Sequence, residues 1–183
     1  MVTLFRSHQR LSLIPFFIVA VILLSITACM NDYTVIDDMN DASFSLVNQD
    51  SVEVSFPSDF KGEYVVMGFI YTHCPDICPT TLAMLNDTYS KLKDSEKERL
   101  QIVMISLDPE RDTAEKLADY VPYFNSEFTG VTGNKHLIRR LSAELNVAYN
   151  QVPLEGDDYT VDHSTQLILI NPMGDYHGFF KAP

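Results

Sequence analysis

An α/β fold is predicted by three features of this 183-residue chain. Two continuous apolar runs, Tyr64–Ile70 and Ile102–Ile105, read as strands buried on both faces. Between and after them, apolar residues recur at helical spacing. The chain then closes on two apolar stretches around a turn, the pattern of a hairpin. Strands alternating with helices and ending in a hairpin describe an α/β sandwich of thioredoxin type.

The elements follow in order. Phe44–Val47 and Val52–Phe56 alternate around Asn48-Gln49-Asp50 and predict an N-terminal β-hairpin. Tyr64–Ile70 is the first buried strand. Pro79 suits the first position of a helix, where its missing N–H costs nothing. Leu82, Leu85, Tyr89 and Leu92 continue that helix into a charged stretch, Lys91 to Arg99. Ile102–Ile105 is the second buried strand. Asp112-Thr113-Ala114-Glu115 reads as a capping box that opens the next helix. His136 to Leu145 is a third helix, with Leu137, Ile138, Leu141 and Leu145 on one face. Asn150 to Val161 reads as polar and irregular. Thr165–Ile170 is a strand, Asn171-Pro172-Met173-Gly174 a turn, and Tyr176–Phe180 its hairpin partner. Repeats and low-complexity segments are absent.

The N-terminus is not expected to belong to the fold. Arg6 and Arg10 precede a nearly continuous apolar stretch, Leu11 to Ile26, which meets Ile26-Thr27-Ala28-Cys29. A basic start, an apolar stretch and small residues before a cut site describe a secretory signal. A cysteine directly after the small residues resembles a bacterial lipobox, which implies lipid on Cys29 and cleavage before it. The competing reading is an uncleaved anchor, since the apolar stretch is just short of the usual ~17–25 residues. Either way the domain is tethered outside the cytoplasm. We divide the chain into a signal peptide at 1–28, an acidic linker at 29–42 and one domain at 43–183. Removing 28 of the 183 residues leaves 155, enough for one domain with a core. Losing Arg6 and Arg10 moves the formal charge from −12 to −14. So acidic a chain is a poor nucleic-acid binder, because phosphate neutralisation needs clustered Lys and Arg.

With Cys29 lipidated, Cys74 and Cys78 are the remaining thiols. A disulfide between them is permitted outside the cytoplasm. It would close so short a loop that its stabilisation is only about 2 kcal/mol. A chemical role therefore fits the pair better than a structural staple. The spacing C-x3-C lets both sulfurs face one point. The following helix N-terminus favours thiolate, the form that binds metal and attacks disulfides.

His163 stands far downstream, in Asp162-His163-Ser164, directly before a predicted strand. Strand ends in α/β sheets gather at one edge, which brings His163 towards the cysteines. Two thiolates and one imidazole suit copper, since thiolates select Cu(I) and imidazole supports Cu(II). Zinc would want a fourth ligand, which the sequence does not identify. Asp162 is a candidate to orient the imidazole; it reads equally well as a turn residue. His73 adjoins Cys74, and an adjacent side chain tends to point away. Met67, Met84 and Met104 read as core, and His136 and His177 as surface. Asp108, Arg111 and Asp112 read as a local ion pair at a helix start, without a direct chemical role.

Four segments resemble the Sco/SenC family: Tyr71-Thr72-His73-Cys74-Pro75-Asp76-Ile77-Cys78-Pro79-Thr80-Thr81-Leu82, Asp108-Pro109-Glu110-Arg111-Asp112-Thr113, Leu137 to Tyr149, and Val161-Asp162-His163-Ser164. They run in family order over roughly residues 43–181. The resemblance implies a membrane-tethered, thioredoxin-fold copper protein that helps assemble the CuA centre of cytochrome c oxidase. It implies one copper per chain, held by Cys74, Cys78 and His163. The expected partners are the oxidase subunit carrying CuA and a further periplasmic copper carrier. The expected location is the periplasmic face of a membrane, through the lipid anchor.

Two departures from the thioredoxin pattern stand out. Such domains normally close with a helix after the last hairpin, whereas this sequence stops at Lys181-Ala182-Pro183. Either the sequence is truncated there, or the closing helix is missing and the last strand is left partly uncovered. Thioredoxin-type enzymes also carry C-x-x-C and a cis-proline before the strand corresponding to Thr165–Ile170, and this chain has neither. A copper carrier needs no catalytic residue, and none is assigned. The alternative function is a thiol–disulfide reductase or redox sensor that cycles Cys74 and Cys78 between dithiol and disulfide. Dependence on His163 separates the two, because a metal site needs the imidazole.

Overall fold

A computed structural model describes residues 44–181. The proposed signal peptide, the linker and Cys29 lie outside the described residues.

The hairpin β1 (Phe44–Asn48) and β2 (Glu53–Phe56) forms as expected. After a 3-10 turn at Ser58–Phe60, β3 (Tyr64–Ile70) enters the core, with Val65 and Met67 fully buried. Helix α1 (Ile77–Ser90) follows, then a single turn, α2 (Asp94–Lys97), inside the charged stretch. Strand β4 (Leu100–Ser106) leads to α3 (Ala114–Phe124), β5 (Thr129–Thr132) and α4 (Lys135–Glu144). A second hairpin, β6 (Tyr149–Pro153) and β7 (Tyr159–His163), precedes β8 (Leu167–Ile170) and β9 (Tyr176–Phe180).

Seven strands make one mixed sheet in the order β2-β1-β5-β4-β3-β8-β9. Strands β3, β4 and β5 are parallel, while β8 runs antiparallel to β3 and β9. The centre is the apolar run the sequence shows: Val65, Met67, Val103, Met104 and Ile168 are all 0% exposed. At Gly68 a Cβ would stand 2.5 Å from Met104 Cε, so the absence of a side chain lets β3 and β4 pack closely. The last strand is an edge, and Phe179 and Phe180 on it are half exposed. Among the described residues no helix follows β9, and none is long and apolar enough to cross a membrane.

Four expectations need correction. Helix α1 starts at Ile77, two residues before Pro79, so Cys78 lies inside its first turn. Pro79 is still tolerated, because the first-turn N–H groups have no helical partner. The cap of α3 is Thr113, whose side chain accepts from Lys116 N, not Asp112. Asp112 is fully buried and turned towards the strands. The segment Asn150–Val161 is not irregular: most of it lies in β6 and β7, registered as Gln151↔Val161, with Leu154 N bonded to Asp158 O across the turn. Its polarity hid it, since only Val161 is buried and one apolar face is the signal that marks a strand. Strand β5 was not anticipated either, because Thr129-Gly130-Val131-Thr132 is too short and glycine-containing to stand out.

Candidate metal centre

Strand β3 delivers the chain to the sheet edge, where Cys74 N bonds back to Tyr71 O at 3.2 Å. Cys74 then lies ahead of α1 and Cys78 within it. The Cys78 N–H, one of the free donors of the helix start, points at Cys74 Sγ at 3.4 Å. Both cysteines are buried and both are thiols in this structure. Because β8 is antiparallel to β3, its beginning meets the end of β3. His163, at the end of β7 and just before β8, therefore arrives beside the cysteines.

The imidazole Nε2 lies 3.8 Å from Cys78 Sγ. Its Nδ1 lies 2.9 Å from the Ser164 carbonyl oxygen. We assign the proton to Nδ1, where it donates to that carbonyl and leaves Nε2 free towards the sulfur. The Ser164 carbonyl, not Asp162, thus holds the ring. Asp162 is exposed and registers with Asn150 on the far strand. Tyr71 sets its ring edge-on to His163, at 6.2 Å between centroids and 84° between planes.

The two thiols sit in unequal surroundings. Burial opposes ionisation of Cys74, but hydrogen bonds from the Asp76 and Cys78 amides, the Cys78 thiol and the Tyr71 hydroxyl outweigh it. The Cys74 pKa is lowered. At Cys78 burial dominates, and the Cys74 and Asp112 charges add to it. Its pKa is pushed strongly up. Of the pair, Cys74 is therefore the thiol that ionises at the lower pH and Cys78 the one that keeps its proton longer.

The space beside Cys78 and His163 is a cavity of about 10 Å³, walled by Gly68, Ile70 and Thr81 among others. That is room for roughly one water-sized occupant, and it excludes an organic substrate. On its other side His163 lines an open groove of about 390 Å³ with Tyr149, Asn150 and Ser164. The donor set fits a soft ion. With bonds of about 2.0 Å to nitrogen and 2.3 Å to sulfur, as zinc makes them, two ligands of one ion fall near the observed 3.8 Å separation. No three His, Cys, Asp or Glu side chains among the described residues are drawn together closely enough to hold a metal as they stand. A three-ligand site therefore needs a side-chain adjustment.

The other candidates lie elsewhere. Met67 and Met104 are core residues, and Met84 packs partly buried against the core. His73 is exposed, with Nδ1 near its neighbour Thr72 Oγ1. His136 is exposed, and His177 stands edge-on to Tyr64 far from the cysteines in sequence. Sequence reasoning missed Tyr71, which borders Cys74 and His163 together. Its place beside the motif was the only signal. Asp112 was also misjudged: its carboxylate accepts from Thr72 N, Thr72 Oγ1 and Ser106 Oγ at 3.0, 2.5 and 2.7 Å.

With this geometry in hand, comparison with known proteins is direct. The SCO1/SenC family profile matches residues 36–183. The chain belongs to the SCO1/SenC family. It is 41% identical over 126 residues to the mitochondrial SCO2 homolog of Homo sapiens, covering 66% of this chain and 47% of that one. The crystal structure of Arabidopsis thaliana ScoI with copper bound is 34% identical with a TM-score of 0.71, covering 76% of this chain and 86% of that one. BsSco, described as a cytochrome c oxidase assembly protein of the Sco family with a disulfide switch, is 28% identical with a TM-score of 0.62. That match covers 76% of this chain and 81% of BsSco. These likenesses establish the thioredoxin-like fold. The chain spans between 41% and 66% of the length of the curated relatives it matches.

Proposed function

We propose that this Sco-family protein carries copper, one ion per chain, on Cys74, Cys78 and His163, and serves assembly of the CuA centre of cytochrome c oxidase. The observation that carries the reading is the 3.8 Å approach of Cys78 Sγ to His163 Nε2 across 85 residues of chain. Copper is the cargo. Soft thiolates favour Cu(I), and the imidazole widens the site to Cu(II). The copper-bound plant relative supports the choice of metal. The open groove beside His163 leaves one side of the site accessible to a partner, as a carrier requires. The partners in this reading are the oxidase subunit carrying CuA and a periplasmic copper donor. The lipid on Cys29 would hold the domain on the periplasmic face of a membrane; its test is loss of membrane association in Cys29→Ser.

Anaerobic copper titration of the reduced soluble domain, followed by the copper–thiolate absorption bands, tests the ligand set. We expect about one equivalent to bind, as this donor set allows. His163→Ala should bind far more weakly, and either cysteine variant should lose the bands. Unchanged copper retention in His163→Ala would remove the three-ligand model.

A second reading rests on the unequal thiols. Cys74, with its lowered pKa, suits attack on a partner's disulfide; Cys78 then displaces the partner thiolate and closes the Cys74–Cys78 disulfide. Two electrons pass to the partner, whose two cysteines leave reduced. The disulfide switch described for BsSco supports this use of the pair. The two readings are compatible, since oxidation would release the metal. Disulfide exchange that survives in His163→Ala while copper binding fails would show both.

A further inference from the structure

The hairpin that carries His163 is not part of the main sheet. Strands β6 and β7 form a two-stranded sheet of their own. An isolated two-stranded hairpin is marginal in water, and this one buries only Val161 fully, with Tyr149 and Tyr159 packed partly buried against the core. Something other than a β-ladder must therefore fix where His163 stands.

One tie is direct, the Tyr71 hydroxyl to Thr160 Oγ1 at 2.7 Å; the charged ties meet on one loop, Leu107–Thr113, between β4 and α3. Arg111 Nε bonds to the Asp108 carboxylate, which is fully buried. Arg111 Nη1 reaches into the hairpin, donating to Asp158 Oδ1 and to the Tyr159 carbonyl, both at 3.0 Å. The guanidinium lies over the Tyr159 ring, 3.7 Å from its centroid, while Nη2 has no partner. The Tyr159 hydroxyl returns to Asp108 Oδ1 at 2.6 Å. Asp108, Arg111 and Tyr159 thus close a ring of contacts between loop and hairpin. Four residues along, Asp112 takes the backbone and hydroxyl of Thr72, two residues before Cys74. The Ser106 hydroxyl joins the halves, donating to Asp112 and accepting from Asp108 N.

We propose that this loop sets the distance between the cysteine limb and the histidine limb, and that Asp108, Arg111 and Tyr159 are positioning residues for His163. Asp112 grips one limb and Arg111 the other, so one short segment bonds to both limbs, beside the direct Tyr71–Thr160 contact. The consequence for copper rests on the ligand set proposed above; the consequence for the hairpin does not.

Amide hydrogen exchange of the metal-free, reduced protein tests the clamp directly, in wild type, Arg111→Ala and Tyr159→Phe. In Arg111→Ala, the β6 and β7 amides should exchange at least about tenfold faster, since charge-assisted bonds are the strong ones. The amides of β3 and β4 should keep their protection. Tyr159→Phe keeps the ring under the guanidinium and loses one hydrogen bond, so it should accelerate the hairpin less. It also decides the matter should Arg111→Ala fail to fold. Hairpin exchange at the wild-type rate in the folded variants overturns the proposal. The second readout is the imidazole nitrogen coupling in the electron paramagnetic resonance spectrum of the Cu(II) adduct. It should weaken in the clamp variants while the copper–thiolate bands persist. Full-strength coupling in both variants overturns positioning of His163. Absence of imidazole coupling in the wild type would count against the ligand set instead, and the exchange result would still decide the clamp.

Discussion

Cys74 and Cys78 share a motif but not an environment. Against the opposing effect of burial, the Asp76 amide, the Cys78 thiol and amide and the Tyr71 hydroxyl lower the Cys74 pKa. Cys78 is 2% exposed and holds its proton because burial penalises the thiolate. A lowered pKa puts thiolate at Cys74 at a lower pH than at a free cysteine, and a raised one delays it at Cys78. Alkylation of the metal-free protein, followed by peptide mass spectrometry as pH is raised, should therefore label Cys74 first. Labelling of Cys78 at the same pH and rate would contradict this ordering. The motif itself was readable residue by residue; the inequality within it was not. It depends on which sulfur the helix start faces and how deep each one lies.

At the scale of elements, the decisive parts are the short connections. Asp112 was legible as a residue near a helix start, and its partners were not. Its carboxylate satisfies an amide of the cysteine loop and two hydroxyls, and its own carbonyl accepts from Thr132 Oγ1 at 2.8 Å. Removing the carboxylate strands three buried or half-buried donors. Asp112→Ala should cost about 3 kcal/mol or more, read as a lower urea midpoint with an unchanged slope. Asp112→Asn keeps an acceptor and should cost less. By contrast, the ion pair of Arg111 with Asp158, whose side chain is 67% exposed, adds about 1 kcal/mol or less by itself. The buried partner, Asp108, carries the clamp. The strands β3 and β4 and the helices were legible because apolar periodicity marks burial. The hairpin β6–β7 was not, because only Val161 of it is fully buried and polar ties add to the partly buried Tyr149 and Tyr159 in docking it.

For the molecule as a whole, the sheet order converts a long separation in sequence into a contact. The antiparallel pairing of β8 with β3 is what returns the chain after His163 to the edge that β3 leaves towards Cys74. Copper that joins the two limbs should then stabilise the native state alone. At free copper 100 times its Kd the gain is about 2.7 kcal/mol, measurable as a rise in the thermal midpoint. The gain should shrink in acid, because copper must displace the cysteine protons and the raised pKa of Cys78 makes its proton the harder to remove. His163→Ala should lose most of the gain. An equal rise in that variant would mean that copper sits elsewhere.

What the sequence determined by itself was chemistry and class: the two thiols and the imidazole, the alternation of strand and helix, and the family signature that binds them together. These are legible because they are written in residue type and spacing. Tertiary structure alone decided that Nδ1 of His163 faces the Ser164 carbonyl and Nε2 faces Cys78, that Asp162 stands exposed, and that a loop thought merely to start a helix bonds to both limbs. Those are properties of partners far apart in the chain. They follow from strand order and burial, which no local pattern encodes.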